Sequence, residues 1–594
     1  MDLAMRVSEK ADRSRLIQAA LQKIPCDFTI TNVKLVNTIT AEVYPASVDV
    51  LDGHVVRVRE EGQETSLPAK KILDGEGRYL VPGFIDAHMH VESSMMIPEN
   101  FGRQAVTWGT TTVCTDPHEI GNVMGIPGVE FMLESGRQCA IRHYVLAPSS
   151  VPAVPGLEST GAAFFAKEIG ELLDKDDVVG IAEIMDYVGV IQDSERMHKI
   201  IDEGYKRNLL LQGHAPSVTG ADLAAYRIGG PCTDHESNTA DEVREKLRNG
   251  IHINLRASSI VDNLGDLVDG LEGMRAYDFV SFCTDDVHAK DLLENGHINA
   301  VVAKAIAHGL NPVDAVKMAT LNCAREYGFD DLGALAPGYI ADMQLVDDLT
   351  FTKKPKAVWV RGELVSENGV YVAKDPEAKQ YHFPNTVNMD QIRGPEDLKL
   401  HAPEGCGDTV KTLIMEPVTA GIVMKGTYEE LPVVDGCVSI EGRDDLQFVC
   451  IANRYGTGDI SIVVYRGFGL QEGALASTVS HDSHNFTVIY KNVEDAYVCV
   501  EALKASGGGM CAANQGKLLY TLPFPVAGLM SLLPCEELAP EIEKMENAMF
   551  AICPNSSSLL MVAVLALPVR PGIIITDKGI VNGDTQTFVS VFAD

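Results

Sequence analysis

Five clusters of metal-binding residue types punctuate the middle of this chain, and each closes a short apolar run: His88-Met89-His90, Glu183, His214, His235 and Asp285. The runs read LVPGFIDAHMH from Leu80, VVGIAEIMD from Val178, NLLLQGHAP from Asn208, GGPCTDHES from Gly229 and FVSFCTDDVH from Phe279. A short apolar run that ends in a polar residue reads as a buried strand of a parallel sheet whose tip faces a site. Four imidazoles and two carboxylates gathered at such tips predict a binuclear metal centre.

Three more runs lie between these: TTTVCTDPHE from Thr110, RHYVLAPS from Arg142 and HINLRASS from His252. Eight strand-like runs therefore follow one another, most of them separated by amphipathic stretches. AAFFAKEIGELLDK after Thr160 and RMHKIIDEGYKR after Glu195 carry apolar residues at helical spacing. Eight strand–helix units predict an α/β fold, a (β/α)8 barrel over residues 81–335. Its active site is expected at the C-terminal strand ends, where all six candidate ligands fall.

The flanks alternate like antiparallel strands. Residues 26–80 (FTITNVKLVN, ASVDVLDGHVVRVRE, KKILDGEG) and 336–380 (GYIADMQLVDD, PKAVWVRGELV) are expected to form one small β-sandwich closed by both sides of the barrel. Residues 390–594 read as a separate C-terminal α/β domain, and the charged amphipathic stretch 1–25 reads as a helix, not a signal peptide. The longest purely apolar run, Leu559 to Leu567, is too short to span a bilayer and is expected to be a core strand. No membrane partner is expected.

Charge and cysteine usage narrow the function. With 49 basic against 83 acidic side chains, the net charge of −34 repels phosphate backbones, so no nucleic-acid partner is expected. Thirteen cysteines contain no C-x-x-C pair, so neither a disulfide framework nor a thiolate zinc site is indicated. That usage suits a reducing, cytoplasmic compartment.

The PGFIDAHMHVESSM segment, the later single histidines and the TDD of the last run together resemble the amidohydrolase superfamily. Within it, the chain is most similar to the adenine deaminases. That likeness rests on Asp116-Pro117-His118-Glu119, Ala182 to Tyr187, Thr284 to His288 and GALASTVSHDSHN from Gly473, and it spans essentially the whole chain. It implies deamination of adenine, a homo-oligomer (a dimer) and a pair of divalent cations. Imidazole and carboxylate donors suit manganese, iron(II) or zinc, and the resemblance favours manganese or iron.

The residues can then be given roles. His88 and His90 alternate by two and point to one side of a strand. With Asp285 they would hold one cation, and His214 and His235 the other. Glu183 would bridge them, in the place where many amidohydrolases use a carboxylated lysine; the fourth run has no lysine. Asp285 is the expected base. Glu119 is the expected donor of a proton to the purine ring, and His118 polarises the intermediate or orients Glu119. Asp116 followed by Pro117 equally suits a capped turn opening a helix.

Expected substrate contacts are Glu92, Asp116, Arg256, Asp286, His288, His481, Asp482 and His484. The last three sit outside the barrel at one polar turn, which is expected to reach the barrel mouth. A plain turn between strands is the alternative for that segment. Relatives tend to read Arg-Glu-Gly-Ser where this chain has Arg256-Ala257-Ser258-Ser259, so any role of that glutamate is absent here. Two other functions stay open at this point. One is a different amidohydrolase acting on a cyclic amide or an amino-substituted heterocycle. The other is a non-catalytic scaffold, which intact ligand positions argue against.

Overall fold

Eight short strands occupy residues 84–283 in the order the apolar runs predict: β1 (Phe84–Met89), β2 (Thr110–Thr115), β3 (Arg142–Ala147), β4 (Val178–Ile184), β5 (Leu210–Gly213), β6 (Thr233–Asp234), β7 (His252–Arg256) and β8 (Val280–Cys283). This is a computed structural model, and it describes residues 12–593 apart from 61, 64, 375–378, 420–422 and 556–558. Every residue of β1 to β4 is buried, which explains why the runs are continuously apolar and do not alternate. Each fully buried aliphatic or aromatic side chain here contributes about 1.5–3 kcal/mol.

The strands pair in parallel as two arcs, β5-β4-β3-β2-β1 and β6-β7-β8. Backbone hydrogen bonds cross both seams. Cys232 N donates to Leu211 O at 3.0 Å, and Asp285 N donates to His88 O at 3.1 Å. The second seam draws the last tip against the first, and so places Asp285 beside His88. The stretches expected to be helical contain the helices Ala166–Leu173 and Glu195–Arg207.

Both flanks contribute to one nine-stranded sheet. They meet where Tyr79–Pro82 runs antiparallel to Met343–Val346, with Leu80 opposite Leu345. Of the expected N-terminal helix, Arg13–Ala20 is helical and capped by Asp12; residues 1–11 lie outside the described residues.

A second nine-stranded sheet is built from residues 409–523. The helix Val493–Ser506 packs on one face, where Val488, Tyr490, Val500 and Leu503 share a core. The other face joins barrel residues: Val449 and Ile489 belong to one buried cluster with Met95, Met96 and Phe101. The C-terminal sheet is thus seated on the body of parallel strands by apolar burial. Between its strands Ala474–Ser477 and Phe486–Tyr490 runs the loop 478–485, every residue of which is buried. Loops ordinarily run over the surface; this one is enclosed between sheet and barrel.

One expectation is corrected. Leu559–Ala566 is a 3-10 helix, not a core strand. An unbroken apolar run carries no periodicity to separate the two, and this one ends before Pro568 without a strand partner.

Candidate metal centre

The six expected ligands converge. His88 is the penultimate residue of β1 and His90 follows the strand; Glu183 lies within β4; His214, His235 and Asp285 sit one or two residues beyond β5, β6 and β8. All six are buried. Asp285 has φ +59°, a left-handed conformation uncommon for a non-glycine residue and often found at functional sites.

Glu183 stands between two sets of imidazoles. Its Oε1 lies 3.4 Å from His90 Nε2, and its Oε2 lies 2.6 Å from His214 Nδ1 and 3.3 Å from His235 Nε2. Asp285 Oδ1 lies 3.4 Å from His90 Nε2 and 3.7 Å from His88 Nε2. The donor atoms of His88, His235 and Asp285 fall within 4.8 Å of one another, as do those of Glu183, His214 and His235.

Tautomers make the fit to a cation specific. His88 Nδ1 donates to Gln212 Oε1 at 2.9 Å, and His90 Nδ1 donates to Asp116 O at 3.0 Å. With Nδ1 so engaged, each ring turns its Nε2 toward the Asp285 carboxylate. At that position Nε2 meets the carboxylate through positive charge, either its own proton or a cation. Burial opposes charge on His90, yet Asp285 and Glu183 outweigh it and raise its pKa well above the usual histidine value. Burial and the neighbouring His235 push His88 well below that value. His88 is thus neutral with a buried Nε2 unpartnered among the described residues, a donor suited to a cation.

Gln212 had no place in the sequence reading, although a glutamine inside NLLLQGH is a polar interruption two residues before a ligand. Its Nε2 donates to Ala87 O at 3.0 Å and to Tyr327 Oη at 2.6 Å, which fixes the amide and hence the His88 tautomer. Gln212→Leu is expected to weaken metal affinity by about 10–100-fold, measured by chelator competition.

A cavity of about 140 Å³ opens onto the cluster. His90, His118, Glu183, His214, His235 and Asp285 line one side. Arg256, Asp286, His481 and Asp482 also line it, as do Glu236 and Ser258, which sequence reasoning missed. The facing wall comes from far along the chain: Met561, Leu567, Arg570 and Pro571. Arg256 Nη1 donates to Asp285 Oδ2 at 3.0 Å and pairs with Glu236.

His118 is held by two carboxylates. Its Nδ1 lies 3.1 Å from Asp116 Oδ2, and its Nε2 lies 3.3 Å from Asp482 Oδ1. Burial opposes its charge, but Asp116 and Asp482 raise its pKa well above the usual value. The turn outside the barrel therefore reaches the barrel site.

Glu119, expected to give the ring its proton, and several expected substrate contacts do not line the cavity. Glu119 follows His118 at the start of the helix His118–Met124, so the turn of the helix aims it elsewhere. Its Oε1 accepts from Ser93 at 3.0 Å, and its Oε2 lies 3.5 Å from His484 Nε2. Glu92 is buried behind it, its Oε1 3.4 Å from Ile120 N, and burial together with Glu119 raises its pKa to about 8. His288 is consumed as a helix cap, accepting from Asp291 N at 3.4 Å. Asp116 acts on His118, and His484 Nδ1 accepts from Ser480 N at 3.1 Å.

Comparison with known proteins shows the family. The amidohydrolase family model matches residues 79–365, and the model described as the adenine deaminase C-terminal domain matches residues 422–587. An adenine deaminase of Desulfatibacillum aliphaticivorans is 37% identical over 581 residues, covering 97% of this chain and 99% of its own. The chain belongs to the adenine deaminase family. Adenine deaminase 2 of Carboxydothermus hydrogenoformans is likewise 37% identical, over 585 residues, covering 97% of this chain and 99% of its own. Among solved structures, a beta-aspartyl dipeptidase from Fervidobacterium islandicum AW-1 aligns with 59% of this chain and 98% of its own, at 19% identity and a TM-score of 0.44. As an adenine deaminase family member with buried His, Asp and Glu clusters, the chain binds divalent metal.

Proposed function

We propose that this chain hydrolyses adenine to hypoxanthine and ammonia, using two divalent cations held in a closed (β/α)8 barrel. The observation that carries the reading is the Glu183 carboxylate set between His90 on one side and His214 and His235 on the other. The two arcs of parallel strands, bonded across both seams, support the barrel. His88, His90 and Asp285 would hold one cation, His214 and His235 the second, with Glu183 shared. Manganese or iron(II) suits these donors, and zinc is compatible. When bound, the cations supply Lewis-acid charge that lowers the pKa of water from about 15.7 to about 7.

The chain's own groups handle the protons. Asp285, its Oδ2 anchored by Arg256, takes the proton of the attacking water and returns it to the departing amino group. His118, held cationic between Asp116 and Asp482, stabilises negative charge on the attacked carbon's substituent. The ring nitrogen also needs a proton. Ser93 Oγ lies 3.0 Å from Glu119 Oε1 and 2.5 Å from Asp286 Oδ1, and so links the two carboxyl groups. Glu119 reaches the cavity only through this link, so Asp286 is the group that faces the ring. The apolar wall of Met561 and Leu567 excludes bulk water.

All thirteen cysteines are unpaired, which supports a reducing compartment, and no helix among the described residues is long and apolar enough to cross a membrane. A panel of purines followed by ultraviolet absorbance tests the substrate. Adenine is expected to be converted with equimolar ammonia release, and a metal-loaded protein inert on adenine but active on a cyclic amide would replace this reading.

A further inference from the structure

Arg454 is fully buried, yet among the described residues it forms no ion pair. Its five N–H donors are matched by five oxygen acceptors. Nε donates to Thr386 O at 3.1 Å, and Nη1 donates to Thr478 O and His484 O, both at 3.2 Å. Nη2 donates to Thr386 Oγ1 and Ala527 O. Gly528 makes the room: a Cβ there would stand 2.8 Å from Arg454 Nη2. Thr478 and His484 belong to the buried loop 478–485 that carries Asp482 to His118. The neighbouring side chain grips the same loop, Tyr455 Oη donating to Ser483 O at 2.5 Å.

We propose that Arg454 is a positioning residue for catalysis: it clamps both ends of the 478–485 loop and so sets Asp482 against His118. The proposal rests on the reading of His118 and Asp482 given above. A buried charge without a counter-ion is costly, and a stability role alone is better met by neutral or apolar packing. Only a guanidinium offers five donors in a rigid fork; a lysine in its place has three donors at one point. The acceptors come from three separate segments, at Thr386, at Thr478 with His484, and at Ala527. Their convergence grips both ends of a loop whose other anchors include Thr478 N to Gly509 O, His481 N to Ala563 O and Asn485 Nδ2 to Ser159 O. The loop needs such fixing because His484 holds φ +50° and the His118 contact is a single distance of 3.3 Å. A displacement of about 1 Å at such a contact can cost about 100-fold in rate.

The test compares Arg454→Lys, Asp482→Asn and the double variant, with kcat, KM and metal content measured on each full-length protein. Folded Arg454→Lys with full metal content is expected to lose about 10–100-fold in kcat on adenine, with a much smaller change in KM. The double variant should be no slower than Asp482→Asn alone, because both changes remove one interaction. Additive losses, or a slow Asp482→Asn beside a wild-type Arg454→Lys, overturn the role of Arg454. Loss of metal in parallel with activity overturns it too. A wild-type kcat in Asp482→Asn instead overturns the reading of Asp482, and with it the route assigned to Arg454. Should Arg454→Lys fail to fold, Thr386→Val removes one acceptor of the Arg454 fork without touching the buried charge. Its kcat must then fall with metal retained, and a wild-type kcat overturns the proposal.

Discussion

Glu183→Gln is expected to lose at least one metal ion per chain and to lower turnover on adenine by about three orders of magnitude or more. The substitution keeps the volume of the side chain but removes the charge that faces His90 from Oε1 and His214 and His235 from Oε2. An amide offers one oxygen where the site needs two, and its NH2 group would point at bare imidazole nitrogens. Elemental analysis and steady-state kinetics on one preparation check this. Full metal content with wild-type turnover would reduce Glu183 to a structural carboxylate.

Asp285→Asn is expected to lower kcat by about 10²–10⁴-fold, the range for loss of a general base, while more metal is retained than in Glu183→Gln. The amide oxygen can still face His88 and His90, so the donor set is nearly preserved, but no group then accepts the proton of water. Arg256 stays paired with Glu236 and is not left bare. A variant that keeps both metals and wild-type kcat would move the base elsewhere in the cavity, to Asp286 or Asp482.

The parts of the site that lie at strand ends were legible in the chain. Strands buried on both faces become largely apolar runs, so His88, Glu183, His214, His235 and Asp285 stand out at or near the end of each run. Distance along the chain did not matter, because parallel strands bring their C-terminal tips together. Helix phase was the weaker guide. His118 and Glu119 are adjacent, and only a structure shows that His118 turns toward the cavity while Glu119 turns to Ser93 and His484.

Contributions from outside the barrel were harder to read. The polar turn with His481 and Asp482 signalled itself by composition, and the loop does meet His118. The wall at Met561, Leu567 and Arg570 carried no signal: an all-apolar run followed by prolines has no periodicity, and its position depends on how the C-terminal sheet is seated. Arg454 was equally silent. A single arginine in a strand-like stretch reads as an exposed edge residue, and its burial comes from carbonyls of segments remote from it in the chain.

The central claim, that paired cations held around Glu183 enable adenine hydrolysis, is tested most directly by metal content and activity on the same sample. The account predicts about two divalent ions per active chain. It also predicts that chelation abolishes ammonia release from adenine, and that manganese or iron(II) restores it. A protein that hydrolyses adenine at full rate with no bound transition metal would contradict it.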